Sequence, residues 1–173
     1  MQLAAIFVIA LKFLVPALIP KFPFLGMWGN YILDAADGDI LQALGVNEFS
    51  YQSIDKFADL FSYIFMVIAA WRWQIRKTAV VLFIYRVIGQ VAFFATRNEL
   101  YFFYFQNFLE PLLLVYTFLI FKKGSEKKAY KVYRKHLLVV WFIVIAYKLW
   151  NEWYLHYANI DLSTIFLGIN GGG

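Results

Sequence analysis

The sequence predicts an all-α fold: a polytopic integral membrane protein, a bundle of six transmembrane helices. Three observations predict it. Of 173 residues, 62% are hydrophobic, and the mean hydropathy is +0.63. Only 16% are charged, against about 25% in a soluble domain. The apolar residues also gather into six runs close to the length of about 20 residues that a helix needs to cross a bilayer. Backbone groups in lipid must be paired within their own segment, so these runs read as helices and not as strands. A soluble enzyme, a disordered chain and a disulfide scaffold are excluded. The length allows one membrane domain, 1–173, whose tail from about 158 to 173 lies at the interface or is disordered. The closing Gly171, Gly172 and Gly173 have the composition of an appended linker.

The first span covers 3–19. No basic residue precedes it and Lys12 lies within it, so it reads as a retained helix and not as a signal peptide. Pro16 and Pro20 fall near its end, where a kink or stop is tolerated. Pro23 stands just before the second span, 24–44, where a missing N–H does no harm. The third span covers 54–73, the fourth 78–95, the fifth 100–121 and the sixth 137–157. Within the fifth, Glu110 precedes Pro111, which predicts a kink there. The run 101–108 reads as lipid-facing and packing material, with Gln106 and Asn107 placed for interhelical hydrogen bonds. Trp71, Trp73, Trp150, Trp153, Tyr154 and Tyr157 sit near span ends, as an aromatic belt requires.

There is no cysteine, which excludes thiol catalysis and thiolate metal sites. Two histidines, His136 and His156, read as interfacial residues. The net charge of +5 points to a membrane and not to nucleic acid, given the apolar content. The charges are segregated. Lys21, Arg72, Arg76, Lys77, Lys122, Lys123, Lys127, Lys128, Lys131, Arg134 and Lys135 fall on one set of connections. The opposite set carries nine of the eleven acids and only Lys56 and Arg97 among the bases. The positive-inside rule places the basic loops 72–77 and 122–136 in the cytoplasm, in a prokaryotic cytoplasmic membrane, and the acidic face outside. The loop 122–136 is a topology anchor that also offers contacts to anionic head groups or an acidic partner, with Tyr130 and Tyr133 at head-group level.

Five of the six aspartates lie between 34 and 59. Asp34 and Asp37 are i and i+3, and Asp55 and Asp59 are i and i+4, so each pair shares a helix face. Consecutive spans joined by a short loop are antiparallel neighbours, which brings four carboxylates together. Such a cluster needs compensation. A divalent cation is the simplest, and all-oxygen ligands select Mg²⁺ or Mn²⁺, or Ca²⁺ if the site is external. Two such ions would clamp a pyrophosphate. Gly38 leaves room for a ligand or another backbone.

This spacing resembles the signature of the CDP-alcohol phosphotransferases (CDP-alcohol phosphatidyltransferases), D-x-x-D-G-x-x-A-R, eight residues, then G-x-x-x-D-x-x-x-D. Asp34, Asp37, Gly38, Asp55 and Asp59 match it without a gap. The signature is degenerate here: Leu41 and Gln42 replace the Ala-Arg pair, and Tyr51 the second glycine. The family has six membrane helices with the signature bridging the second and third. The resemblance implies a membrane transferase of phospholipid biosynthesis. A hydroxyl acceptor would take a phospho-alcohol or phospho-lipid group from a CDP-linked donor, with CMP leaving. Asp34, Asp37, Asp55 and Asp59 would hold two metals and Asp59 would also be the general base. In the family the aspartates face the cytoplasm, which conflicts with the charge bias.

Lys12, Arg86, Glu110 and Lys148 fall within spans, where ionisable groups face a bundle interior or a cavity. Arg86 and Glu110 are placed for a buried pair. Arg86 is also the spare cation for a phosphate, beside Gly38 and Lys56 as substrate-binding candidates. Lys12 and Lys148 are long enough to snorkel, although Lys148 lies rather deep for that. The alternative to the transferase is a non-enzymatic six-helix membrane protein, a small channel or transporter or an accessory subunit, with an acidic outward face. Expected partners are membrane lipids, the CDP-linked donor, and a second copy or a larger membrane complex.

Overall fold

The computed structural model describes residues 3–98 and 100–156, and the side chains of all of these but 48–50, 52 and 152–156. Among them every regular element is an α-helix: α1 (Leu3–Ala17), α2 (Pro23–Ala43), α3 (Glu48–Ala70), α4 (Arg76–Thr96), α5 (Leu100–Tyr104), α6 (Leu109–Lys123), α7 (Glu126–Lys135) and α8 (Leu137–His156). The tail 158–173, Glu99 and Tyr157 lie outside the described residues, as do the side chains of Trp153, Tyr154 and His156.

The turn between α1 and α2 is tight because Gly26 meets the Ile19 backbone: a Cβ there would lie 2.8 Å from Ile19 Cα. Pro23 opens α2, as expected. The third helix begins at Glu48, several residues before the predicted 54, so only a short connector separates the two acidic helices. α1 packs on α2 and α3, α2 on α6, α3 on α4, and α6 on α7 and α8. Met27, Tyr63, Met66, Leu112, Tyr116 and Val144 form the centre of the core.

Among the described residues one helix, α4, is long and apolar enough to cross a membrane. α2 and α3 carry the aspartates, and α1 and the apolar part of α8 are shorter. The predicted fifth span is broken. α5 stops at Tyr104 and α6 starts at Leu109, so the interruption precedes Pro111 and is not a kink at it. The cause is Asn107. Its Oδ1 accepts from the Glu110 N–H at 3.2 Å, capping α6, and its Nδ2 donates to Tyr63 Oη at 3.1 Å on α3. The carbonyls freed at the break are taken up by α4: Tyr85 Oη donates to Tyr104 O, and Arg86 donates to Phe105 O at 2.9 Å. Gly89 makes this approach possible, since a Cβ there would lie 2.3 Å from the Phe105 Cβ.

The predicted basic loop is instead a helix, α7. Gly124 ends α6 at φ +65°, a left-handed conformation that glycine adopts freely. Glu126 then fastens α7: it accepts from Gln74 N at 2.8 Å and from Tyr116 Oη at 2.6 Å. Tyr133 faces the protein and not the solvent. It is buried edge-on to Tyr116 and accepts from Trp141 Nε1 at 3.3 Å. Trp73 is likewise buried against Tyr116, whereas Trp71 and Trp150 are exposed.

Candidate functional site

α1, α2 and α3 converge on the acidic cluster. Asp34, Asp55 and Asp59 each offer a carboxylate oxygen, and these three oxygens lie within 4.8 Å of one another. Two helices supply them because i, i+4 spacing on α3 and the turn of α2 beside it point them to one seam. Asp37 is drawn aside. It is fully buried and paired with Lys12, whose side chain is only 4% exposed.

Lys12 is the central cation of the cluster. Its Nζ reaches Asp55 Oδ1 at 2.6 Å and Asp34 Oδ1 at 3.4 Å besides Asp37. Its length would let it snorkel, but it points into the bundle, because three carboxylates outweigh the reach to the interface. Lys148 is buried as well, as its depth in the run suggests. Lys56 completes the compensation by binding Asp55 Oδ2 at 2.7 Å. Part of the charge balance assigned to metal from the sequence is thus met by two lysines.

Tyr51 lies over Gly38. Its Oη is 2.9 Å from where a Gly38 Cβ would be, and it donates to Asp37 Oδ1 at 3.4 Å. Its ring also stacks near Lys12, 5.8 Å from Nζ to centroid. The space beside Gly38 is filled by this phenol, so Gly38 admits a side chain of the chain itself.

Arg86 and Glu110 interact electrostatically, and each has further contacts. Arg86 binds the Phe105 carbonyl and lies 4.6 Å over the Phe102 ring, which Lys56 approaches from 5.4 Å. Glu110 accepts from Asn30 Nδ2 at 3.4 Å and Asn107 Nδ2 at 3.2 Å. Ser62 Oγ donates to Asn30 Oδ1 at 3.0 Å. Asn30 and Ser62 stand one helical turn from Asp34 and Asp59, so a polar network extends the acidic cluster inward as far as Glu110. Sequence alone does not assign Tyr51, Asn30 and Ser62 to the site, and it names Lys12 only as an intramembrane charge. The signals were a lysine inside an apolar run and polar residues in helical register with the aspartates.

The donor set has the spacing for one hard cation, but both oxygens of Asp55 are held by Lys12 and Lys56, so an ion there must displace a lysine. Oxygens within 4.8 Å of each other can surround an ion that takes ligands at about 2.0–2.6 Å. With Asp37 held by Lys12, a second ion lacks its carboxylate. Comparison with family models, with curated proteins and with solved structures finds no match for this chain.

Proposed function

We propose that the chain is an integral membrane protein of six spans, α1, α2, α3, α4, the broken pair α5–α6, and α8, with α7 at the interface. Its faces support this. On α4, Val81, Ile84, Ile88 and Val91 are exposed while Arg86 and Gln90 are buried. Leu138, Phe142 and Leu149 on α8 are exposed too. Polar inside and apolar outside is the pattern of a helix whose solvent is lipid, and so large an exposed apolar surface marks a membrane or an interface.

At its acidic end we propose a metal-dependent transfer of a phospho-alcohol group from a CDP-linked donor to a hydroxyl acceptor, as in the CDP-alcohol phosphotransferases. The observation that carries this is the meeting of Asp34, Asp55 and Asp59, at the offsets of the family signature, within 4.8 Å. The acceptor oxygen attacks the phosphorus attached to CMP. The bond from phosphorus to the CMP oxygen breaks and CMP leaves with the electron pair. The hydroxyl proton passes to Asp59. Lys56 and Arg86 stand on the same Phe102 ring as cations for the donor phosphates. Mg²⁺ or Mn²⁺ at the carboxylates would supply charge neutralisation for the pyrophosphate.

A second reading is a non-enzymatic membrane protein with an internal Lys12–aspartate lock. The packing of Tyr51 over Gly38, and of Lys12 among three carboxylates, favours it. Purified protein tested for Mn²⁺ binding by spin resonance, and for CMP release from a CDP-linked lipid, separates the two. The transferase reading expects both signals, and Asp59→Asn is expected to abolish CMP release. Absence of both in the unaltered protein leaves the second reading.

A further inference from the structure

The end of the molecule away from the aspartates carries two adjoining cavities. The first, about 460 Å³, is an apolar groove between α3 and α4, lined by Ile64, Val67, Ile68, Trp71, Arg72 and Phe83. The second, about 410 Å³, is a mixed cleft that shares Trp71 and Arg72 and adds Trp73, Gln74, Arg76, Lys77 and Tyr130. From Asp55 to the end of α3 at Ala70 is about 23 Å of helix, so these cavities are separate from the acidic cluster.

We infer that the adjoining cavities bind one anionic phospholipid, its phosphate in the cleft and an acyl chain in the groove. This rests on the membrane reading above and not on the transferase chemistry. The cleft lining holds three cations and no acid. Arg72, Arg76 and Lys77 are exposed and form no ion pair among the described residues. Glu126, which reaches Gln74 of the same lining, is engaged by Gln74 and Tyr116. Tyr130 comes from α7, whose Lys127, Lys128 and Lys131 are exposed and add to the positive field. The groove alone would accept any acyl chain and the cleft alone any phosphate. Trp71 and Arg72 line both, and that adjacency is what selects an amphiphile with a negative head. Trp71, 62% exposed, stands where the two chemistries meet, the place an interfacial indole takes.

Trp71 also supplies the readout. The full chain is reconstituted in phosphatidylcholine vesicles that contain small fractions of brominated-chain phosphatidylglycerol or brominated-chain phosphatidylcholine, and tryptophan quenching is followed. The component of quenching that a Trp71→Phe variant removes is assigned to the site. The brominated anionic lipid is expected to reach half-quenching at roughly a tenth of the mole fraction of the zwitterionic one. Arg76→Gln with Lys77→Gln, both exposed and outside the core, is expected to erase that preference while the protein still inserts. Equal quenching by the two lipids overturns the proposal and leaves the membrane reading standing. Relief of quenching by inorganic phosphate at millimolar concentration overturns it in favour of a free-anion site. Failure to insert into either vesicle overturns the membrane reading and the proposal together.

Discussion

Lys12 has the largest expected effect of any one side chain. It is almost fully buried and balances Asp34, Asp37 and Asp55 at once. Removing one partner from a buried ion network leaves charge without compensation, at a cost of about 3–5 kcal/mol. Lys12→Met is therefore expected to lower thermal stability in detergent sharply, and Lys12→Met with Asp37→Asn to recover a large part of it. A double-mutant cycle by thermal unfolding reads the coupling; additive losses would contradict a shared lock. Gln90 gives the opposite sign. Its amide is 2% exposed and neither its Oε1 nor its Nε2 is hydrogen-bonded. Gln90→Leu removes that desolvation cost and is expected to stabilise by about 1 kcal/mol, measured in the same unfolding assay.

The broken α5–α6 segment shows how an element can depart from its hydropathy. Residues 100–121 are apolar enough to read as one helix, yet Asn107 caps a new helix and Arg86 and Tyr85 take the carbonyls left behind. Backbone groups may be freed inside a bundle only where side chains satisfy them. Arg86 is thus a structural support of the break as well as a candidate for phosphate. Gly89→Ala would push its methyl into Phe105 Cβ, 2.3 Å away, and is expected to cost about 1–3 kcal/mol by separating α4 from α5. Unchanged unfolding of that variant would show that the close approach is not needed. α7 differs from its sequence reading for a related reason. Its net charge reads as a solvated loop, but Ala129 and Tyr133 share one face and dock on α6 and α8.

For the whole molecule, charge segregation is the organising fact. The aspartates of α2 and the first half of α3 lie at one end, and Arg72, Arg76, Lys77 and α7 at the other. A cysteine introduced at Asn47 and another at Gly124 are expected to react with an impermeant thiol reagent from opposite sides of the membrane, without background because the native chain has no cysteine. Labelling of both from one side would contradict the six-span arrangement. The side on which Asn47→Cys reacts also separates the two functional readings. The transferase needs that connector in the cytoplasm, where cytidine nucleotides are, and the positive-inside rule puts it outside.

Composition and periodicity were sufficient for the helical class, for α1, α2 and α4 within a few residues, and for the register that brings Asp34, Asp55 and Asp59 to one seam. These depend on local quantities, namely apolar run length, proline position and the spacing of carboxylates along a helix. Tertiary structure alone decided which cation answers the carboxylates, where the fifth run breaks, and that Tyr51 fills the space over Gly38. Each is set by a contact between residues far apart in sequence: Lys12 with Asp55, Arg86 with Phe105, Tyr51 with Gly38. A buried charge takes the partner that three-dimensional packing brings nearest, and no spacing within one helix records which partner that is.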